Sequence, residues 1–424
     1  MNHKTTVLSI CALLATACGP SATDSNEPVD LSATARRIAA TSIIVDTHID
    51  APMKLVEKAA DISVAVDSRD FDYPRAIEGG LNTPFMSIYT DPKLEAEGRS
   101  RQVAEELIDI VEGVVRNAPD KFMIALSPAD VRESFANGLI SLPMGMENGS
   151  PIEGELANIK YFFDRGIRYI TLTHGLSNHI ADSSFDTNHQ WDGLSEFGVE
   201  VVREMNRLGV IVDISHVSDD AFWQVMEIST VPVIASHSSA RHFTPGFERN
   251  MSDDMIKRLA ENGGVVQINF GSGFISAESR QYDSVRWPAA KAFMAEHPDV
   301  GYTDLAEEFI PLFQAEHGPY PFASIEDVLD HFNHVIALVG IDHVGIGSDF
   351  DGVGDSLPTG LKDVSDYPNL IEGLLHRGYS EEEIRKILGE NLLRVWAEVE
   401  AYSSKYNSSY DLTDRFEALE PNDP

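Results

Sequence analysis

The feature that most constrains this chain is a regular alternation of short β-branched runs with longer amphipathic stretches. Such alternation is typical of an α/β protein, in which a parallel sheet is joined by crossover helices. Eight runs are predicted to be strands: Ile43–Asp50, Pro84–Thr90, Ser141–Asn148, Tyr169–His174, Val210–His216, Pro232–Ser238, Val265–Gly271 and Val344–Asp351. A segment long enough for a helix follows each run, which favours a closed (β/α)8 TIM barrel. An open doubly wound sheet is the alternative.

One long interval departs from this alternation of predicted strands and helices. Between the seventh and eighth predicted strands lies a long insertion, from Ser272 to Asp342. It is helical at Ile325–Val339, and we expect other parts to be irregular and proline-rich. At the catalytic face of a barrel, an insertion of this length would serve as a lid or as a dimer contact.

Ionisable residues stand at or near the ends of most predicted strands. They are His48, Asp50, Glu147, His174, His216, His237 and Asp349. A hydrophobic strand has no packing reason to end on such a residue. Because the carboxyl ends of barrel strands meet at the mouth, where the active sites of this fold lie, these residues predict a functional site there.

Five of these residues make a predicted metal-ligand set: His48, Asp50, Glu147, His216 and His237. His48 and Asp50 are two apart on one strand and should face the same side, and His216 and His237 end consecutive strands. Nitrogen and oxygen donors without sulfur suit Zn²⁺, Mn²⁺ or Co²⁺, with Zn²⁺ as the default. If Glu147 bridges two ions, each ion receives three ligands, and the pair would activate a bridging water and polarise a carbonyl.

Other polar residues have less specific interpretations. Asp213 either orients a ligand histidine or is a buried carboxylate satisfied by the backbone. The histidines away from strand ends, which include His242 and His334, are interpreted as ordinary core or surface residues.

Charge and cysteine content exclude several functions. The chain has 32 Lys and Arg against 68 Asp and Glu, a net charge of −36, which argues against nucleic acid because phosphate binding relies on clustered cations. We interpret the acidity as a solvated surface. Only Cys11 and Cys18 are present, both near the N-terminus. The predicted folded body therefore has no disulfide, no thiol nucleophile and no cysteine ligand for a metal.

The N-terminal residues predict export. Lys4 precedes the apolar run Val7–Ala17, which is too short for a permanent membrane helix and indicates a signal peptide over 1–17. The following Cys18 stands in Ala15-Thr-Ala-Cys-Gly19, which resembles a bacterial lipobox and implies lipidation of this cysteine. An ordinary cleaved signal peptide is the alternative. We expect a lipid-anchored protein at the periplasmic face or outer membrane of a bacterial envelope, attached through its lipid alone.

The sequence predicts four parts of the chain, of which the signal peptide is the first. After the signal peptide, residues 18–40 are expected to form a tether and N-terminal segment, and residues 41–400 the (β/α)8 catalytic domain. Residues 401–424 are expected to form a peripheral tail.

Taken in order, the motifs resemble the membrane (renal) dipeptidase family, metallopeptidase family M19, whose fold is a (β/α)8 barrel. The resemblance runs from Ile43 to about Trp396. It rests on Val45-Asp-Thr-His-Ile-Asp50, Gly145-Met-Glu-Asn-Gly149, Tyr169-Ile-Thr-Leu-Thr-His174, Asp213-Ile-Ser-His-Val-Ser218, Ser236-His-Ser-Ser-Ala240, Arg249-Asn250 and Val344-Gly-Ile-Gly-Ser-Asp-Phe-Asp-Gly352.

The resemblance implies a zinc-dependent dipeptidase that accepts a D-residue at the C-terminal side of its substrate and attacks with a hydroxide bridging two Zn²⁺ ions. One ion would be held by His48, Asp50 and Glu147, and the other by Glu147, His216 and His237. The remaining roles are also implied by the resemblance. His174 would stabilise the oxyanion, Arg249 would hold the substrate's C-terminal carboxylate, and Asp349 would carry a proton to the leaving amine.

Two departures from the family pattern affect these expectations. The loop Ser238–Arg249 differs from the mammalian sequences, so Arg241 is the alternative to Arg249. The insertion Ser272–Phe322 is least covered by the resemblance and is expected to influence substrate access. Mammalian members also use an intersubunit disulfide, which this cysteine content excludes, so we expect a non-covalent homodimer.

Two other functions were weighed. Another binuclear-metal amidohydrolase on this fold would usually carry His-x-His on strand one and a carboxylated lysine on strand four, where this chain has His48-x-Asp50 and His174. A non-catalytic binding lipoprotein would be expected to have lost Asp349 or a ligand, and none is missing.

Overall fold

The structure is a computed structural model that describes Met1, residues 30–300 and residues 304–417, with side chains as far as Tyr406. It divides into two compact units, Met1–Asp30 and Leu31–Pro424. The predicted signal peptide beyond Met1, Cys18 and the last residues of the predicted tail lie outside the described residues. Within the described part of the chain, no helix is both long and apolar enough to cross a membrane.

The second unit is built on parallel strands. In chain order they are β1 (Val45–Ile49), β2 (Thr83–Tyr89), β3 (Phe122–Met123), β4 (Ile140–Ser141), β5 (Met144–Glu147), β6 (Ile167–Thr171), β7 (Ile211–Asp213), β8 (Ile234–Ala235), β9 (Val265–Ile268) and β10 (Val344–Ile346). Eight of these described strands close a barrel in the order β1-β10-β9-β8-β7-β6-β5-β2, and β3 pairs with β4 apart from it. The (β/α)8 barrel prediction is confirmed, and the open-sheet alternative is wrong.

Helices cover the outside of the barrel. They are α1 (Leu31–Thr41), α2 (Ala51–Glu57), α3 (Tyr73–Gly79), α4 (Lys93–Glu97), α5 (Ser100–Asn117), α6 (Pro128–Ala136), α7 (Ala157–Asp164), α8 (Glu196–Leu208), α9 (Asp219–Ile228), α10 (Asp253–Glu261), α11 (Ser272–Ile275), α12 (Ala277–Glu296), α13 (Leu305–Glu308), α14 (Ile310–His317), α15 (Ile325–Val339), α16 (Tyr367–His376), α17 (Glu381–Arg385) and α18 (Asn391–Glu417). Helix α8 shows why such segments fold: Ser195 caps its first turn, Gly209 in the left-handed region ends it, and its apolar face is buried.

The lower barrel interior is a packed core. Val45, Phe85 and Tyr169 from three strands meet Leu392 and Trp396 of α18 in one buried cluster. The rings of Phe85 and Trp396 are 5.4 Å apart, as are those of Phe85 and Tyr169. Filling this end with large side chains leaves the opposite end, where the strands finish, as the open face of the barrel.

The strands end earlier than the sequence predicted. β7 stops at Asp213 and β10 at Ile346, and His216 and Asp349 follow on turns with φ of 70° and 66°. β1 ends at Ile49, so Asp50 begins the next turn instead of sharing the strand with His48. A residue in the left-handed region cannot continue a strand ladder, which is why β7 and β10 stop short of His216 and Asp349.

The insertion between β9 and β10 is mostly helical, which corrects the expectation of an irregular proline-rich segment. It contains α11 to α15, and α12 continues through Pro288. Phe309 and Phe313 pack with Leu305 and Ala290 in a small core of their own.

The ends of the described unit are also helical. Helix α1, in the segment predicted as a tether and N-terminal segment, buries Ala35, Ile38 and Ala39 and contacts α16. Helix α18 runs continuously across the predicted boundary between catalytic domain and tail at residue 400.

Candidate metal centre

The residues predicted at the strand ends meet at the open face of the barrel. Three overlapping groups have donor atoms within 4.8 Å of one another: His48 with Glu147 and His237, Glu147 with His174 and His216, and His48 with Asp50 and Asp349. We call these seven residues the mouth cluster. All of them except His174 are buried. The structure therefore brings together every residue of the predicted ligand set.

Glu147 lies at the centre of the mouth cluster. Its Oε1 is 3.0 Å from His216 Nε2 and 3.2 Å from His237 Nε2, and its Oε2 is 3.4 Å from His48 Nε2. The two carboxylate oxygens thus face different histidines. A carboxylate divided in this way has the arrangement needed to bridge two cations.

The imidazoles of the mouth cluster are packed against one another. His216 Nε2 is 2.9 Å from His237 Nε2, and the His48 ring stacks on His237 with centroids 3.8 Å apart. Burial lowers the pKa of His216 and of His237 well below the usual value, which favours the neutral form that binds metals. Burial opposes protonation of His48 as well, but the negative charges of Glu147 and Asp50 and contact with Tyr169 raise its pKa well above the usual value.

Two histidines of the mouth cluster are oriented by groups behind them. His237 Nδ1 is 2.7 Å from Ser236 Oγ, which donates to Asp213 Oδ2 at 2.6 Å. Asp213 Oδ1 also accepts from the backbone N–H groups of Ser215 and Ser236, so both interpretations of Asp213 hold at once. Ligand histidines are commonly fixed in this way through their second nitrogen.

Tyr169 has the same function for His48 and was not identified from the sequence. Its hydroxyl is 3.0 Å from His48 Nδ1 and donates to the Thr47 carbonyl at 2.9 Å. The ring fits only because residue 145 is glycine, since a Cβ there would lie 1.9 Å from Tyr169 Cζ. A buried tyrosine inside a strand looks like ordinary core, so its hydroxyl gave no sequence signal.

Asp349 is held beside Asp50 and His48 at the end of β10. Its backbone N–H donates to the His48 carbonyl, and its Oδ2 accepts from Asn269 Nδ2 at 2.7 Å. Burial raises the pKa of Asp349 to about 7; the charge of His48 opposes this rise, and the carboxylates of Asp50 and Glu147 add to it. Asn269 was also not identified, although its position just after β9 matches the strand-end pattern.

His174 lies at the rim of the mouth cluster. A quarter of its side chain is exposed (25%), and its Nε2 is 3.5 Å from Glu147 Oε1. Its ring is held between those of Tyr89 and His216, with centroids 4.8 Å and 4.3 Å away. Burial lowers the pKa of His174, which favours the neutral form of its ring.

Arg249 is a buried guanidinium next to His237 of the mouth cluster. Its Nη1 donates to Ser238 Oγ at 2.6 Å and its Nη2 to the His237 carbonyl at 2.9 Å, but its Nε has no hydrogen-bond partner. Among the described residues it has no ion-pair partner. Burial lowers its pKa to about 10, which leaves it cationic at neutral pH. By contrast, Arg241 is committed to a two-bond ion pair with Asp219, at 2.7 and 2.5 Å.

Aromatic residues form one wall of the opening. Phe185 lies 6.0 Å from the His216 ring and 5.9 Å from Phe247, and Phe247 lies 5.8 Å from Phe274 of α11 (centroid distances). The guanidinium of Arg280, on α12, covers Phe247 at 3.8 Å. The start of the insertion therefore borders the site, as a lid would.

Comparison with known proteins agrees with this geometry. The family model described as membrane dipeptidase, peptidase family M19, matches residues 32–410. The crystal structure of the probable dipeptidase PvdM from Pseudomonas aeruginosa has 27% identity and a TM-score of 0.74, over 88% of this chain and 100% of that chain.

Two other solved structures are similar. One is a metallopeptidase from Rhodobacter sphaeroides, solved with a phosphinate mimic of the dipeptide L-Ala-D-Ala, with 26% identity and a TM-score of 0.68 over 84% of this chain and 99% of that one. The other is a dipeptidase of family M19, with 26% identity and a TM-score of 0.68 over 85% of this chain and 99% of that one.

Proposed function

The chain belongs to the membrane dipeptidase family, peptidase family M19, and is a metallodipeptidase; on that basis we propose that it uses two Zn²⁺ ions at the barrel mouth to hydrolyse dipeptides, including those with a C-terminal D-residue. The observation that carries the substrate assignment is Arg249, a buried cation without an ion-pair partner among the described residues, beside the mouth cluster. A dipeptide's free carboxylate would supply the missing anion.

The mouth cluster fits a pair of metal ions. His48 Nε2 is buried without a hydrogen-bond partner although two carboxylates stand near it, at 3.4 and 3.5 Å. His216 Nε2 and His237 Nε2 converge on the same oxygen of Glu147. Three imidazoles and two carboxylates with no sulfur are a donor set that suits zinc, and also Mn²⁺ or Co²⁺.

The ligands divide naturally around Glu147. His48 and Asp50 would hold one ion with Glu147, and His216 and His237 would hold the other with it. When bound, such ions supply Lewis acidity that polarises the scissile carbonyl and lowers the pKa of the attacking water.

Side chains of the protein would bind the substrate, stabilise the developing charge and transfer the proton. Arg249, aimed by Ser238 and the His237 carbonyl, binds the substrate carboxylate with its remaining N–H donors. His174, at the rim, donates to the carbonyl oxygen as negative charge develops on it. Asp349 has its Oδ2 engaged by Asn269, which leaves Oδ1 to accept a proton and deliver it to the leaving amine.

The stereochemistry proposal is supported by a relative. The Rhodobacter sphaeroides metallopeptidase was solved with a mimic of L-Ala-D-Ala, which has a D-residue at its C-terminal side. The aromatic wall of Phe185, Phe247 and Phe274 would then contact the substrate's side chains, because it borders the opening on the side of Arg249.

The test is a panel of L-L, L-D and D-D dipeptides given to zinc-loaded protein, with each dipeptide's C-terminal amide as its matched control. We expect hydrolysis of L-L and L-D dipeptides and a large loss with the amides, because the amides lack the anion for Arg249. Equal hydrolysis of acids and amides would contradict the assignment of Arg249. Absence of hydrolysis with every dipeptide would contradict the substrate class.

We also propose that the mature protein is lipidated on Cys18, held at a bacterial envelope membrane by that lipid alone, and forms a non-covalent homodimer. Cys18→Ala should release the protein from membranes while Cys11→Ala should not change its attachment. Continued membrane attachment of Cys18→Ala would contradict the lipid anchor.

A further inference from the structure

A second group of metal-binding side chains lies outside the mouth cluster. His242, Asp253 and His334 offer donor atoms that all lie within 4.8 Å of one another. His334 Nε2 is 2.8 Å from Asp253 Oδ1, and the rings of His242 and His334 stack with centroids 4.3 Å apart and an interplanar angle of 23°. We call these three residues the outer cluster. None of them belongs to the mouth cluster.

The outer cluster combines residues that are distant in sequence. His242 lies in the single helical turn Arg241–Phe243, Asp253 begins α10, and His334 lies on α15 in the insertion. Among the described residues, the ring nitrogens of His242 have no hydrogen-bond partner. The contact between His334 and Asp253 thus does not involve His242, although the His242 ring stacks on that of His334.

Access and charge suit a cation from solvent. His242 is exposed, and the side chains of Asp253 and His334 are 40% and 17% exposed. The positive end of the α10 dipole disfavours a cation here, but Asp253 and Asp254 stand in its first turn and oppose that effect. Two imidazole nitrogens and one carboxylate oxygen suit divalent transition metals and leave coordination positions for water.

The position of the outer cluster gives such an ion a structural consequence. His242 and Asp253 stand on either side of the loop that contains Arg249, and His334 holds α15 against them. Just before this loop, the chain is already tied to α15, since His331 Nδ1 accepts from the Ala240 backbone N–H at 3.0 Å. An ion on the outer cluster would therefore fasten both ends of the Arg249 loop to one helix.

We propose that His242, Asp253 and His334 form a peripheral site for a divalent transition-metal ion, and that this ion steadies the loop carrying Arg249. The first part is independent of the proposed function. The second part rests on it, because it concerns the residue proposed to hold the substrate's carboxylate.

The binding test uses the full chain and Zn²⁺ as the probe. Wild type, His242→Gln and His334→Gln are dialysed to equilibrium against the same free Zn²⁺, and zinc per chain is measured by mass spectrometry. The matched control is His376→Gln, an exposed histidine on α16 beside Glu372. Wild type and the control should hold one more ion per chain than His242→Gln or His334→Gln. Equal zinc in all four proteins would overturn the site.

Two additions make this test decisive. Because His334→Gln also loses the bond to Asp253 and could fold poorly, the exposed His242→Gln carries the result if the two variants differ. His216→Gln should lose zinc from the mouth cluster and keep the outer ion. If instead all zinc disappeared with His216→Gln, the outer site would be refuted.

The loop is tested separately with kinetics on protein whose mouth cluster is zinc-saturated. His242→Gln should raise KM for a dipeptide about threefold or more and leave kcat near the wild-type value, because the loop holds substrate and performs no chemistry. Loss of the outer ion with an unchanged KM would overturn the effect on the loop. A variant protein that hydrolyses nothing, together with an inactive wild type, would instead contradict the proposed function.

Discussion

Arg249 stands out among single residues because its charge is buried and unmatched. A guanidinium that is 3% exposed and has no carboxylate at ion-pair distance among the described residues has a desolvation cost. Two neutral acceptors and the more distant charges of Asp349, Glu147 and Asp213 reduce that cost only in part. Proteins keep such a group where a ligand completes it. Arg241, the alternative clamp, has no such need because Asp219 already neutralises it.

Arg249→Ala should raise KM for dipeptides about 10- to 100-fold, which is ~1.4–2.8 kcal/mol of lost binding, and should retain bound zinc. Steady-state kinetics and metal analysis measure both. Arg241→Ala is the comparison: it should lower thermal stability through loss of the Asp219 pair and raise KM less than Arg249→Ala does, because Arg241 also donates to the Glu248 and Asn250 carbonyls beside Arg249. A raised KM in Arg241→Ala with a normal KM in Arg249→Ala would exchange their roles.

Tyr169 is predicted to act through His48. Without the Tyr169 hydroxyl, the His48 ring loses the contact at its Nδ1 that directs Nε2 toward Glu147. Tyr169→Phe should therefore weaken zinc binding about 10- to 100-fold in competition with a chelator. Tyr379→Phe, which loses a comparable bond to Asn333 far from the barrel mouth, is the control. Unchanged zinc affinity in Tyr169→Phe would show that Tyr169 is only core.

The sequence predicted individual residues where strand position and chemistry coincided. His48, Glu147 and Asp349 were identified because an ionisable side chain at a strand end has no packing role. Tyr169 and Asn269 were missed because both can be satisfied in many ways, and only their partners in three dimensions show what they do.

At the scale of elements, the strands were placed correctly and their ends were not. The prediction Val210–His216 extends beyond the observed β7, Ile211–Asp213, because it includes the turn that presents His216. The positive φ of His216 and Asp349 is not encoded in an obvious glycine, so the sequence could not mark where each ladder stops. These turns orient the side chains of the site. They are held by tertiary contacts such as the hydrogen bond from the Asp349 N–H to the His48 carbonyl.

The turn after β10 is also fixed by a pair of aspartates. The Asp70 backbone N–H donates to Asp351 Oδ1 at 2.9 Å, and the Asp351 backbone N–H donates to Asp70 Oδ2 at 2.8 Å. Burial raises the pKa of Asp70 to about 6, and burial with the charge of Asp70 raises the pKa of Asp351 to about 7. Both folded values exceed the ~3.9 of an unfolded aspartate, so the stability of the protonated pair is present below about pH 4 and is lost as pH rises through 6 to 7.

Asp70→Asn should therefore stabilise the protein by roughly 1 kcal/mol at pH 8 and by less at pH 5, since the amide oxygen still accepts the Asp351 N–H without adding charge. Thermal unfolding of zinc-saturated protein at both pH values measures this. The exposed neighbour Asp67, changed to Asn, is the control. A larger stabilisation at pH 5 than at pH 8 would contradict the assigned direction of the pKa shifts.

At the scale of the whole molecule, the second unit is a barrel filled with apolar side chains at one end and open at the other, where its polar groups converge. The closed strand order explains why residues as distant in sequence as His48 and Asp349 become neighbours, since β1 pairs directly with β10. This closure was predictable from eight strands with eight crossovers. The helical insertion was not, because its small core of Phe309 and Phe313 forms only when its helices meet.

The central claim is that two ions bound at this open end perform the hydrolysis of dipeptides. It is tested most directly by titrating metal-free protein with Zn²⁺ while following the hydrolysis of an L-D dipeptide. In the His242→Gln variant, which lacks the outer ion, the account predicts no activity without metal and a rate that reaches its plateau at two ions per chain. Full activity of metal-free protein, or a plateau after the first ion, would contradict it.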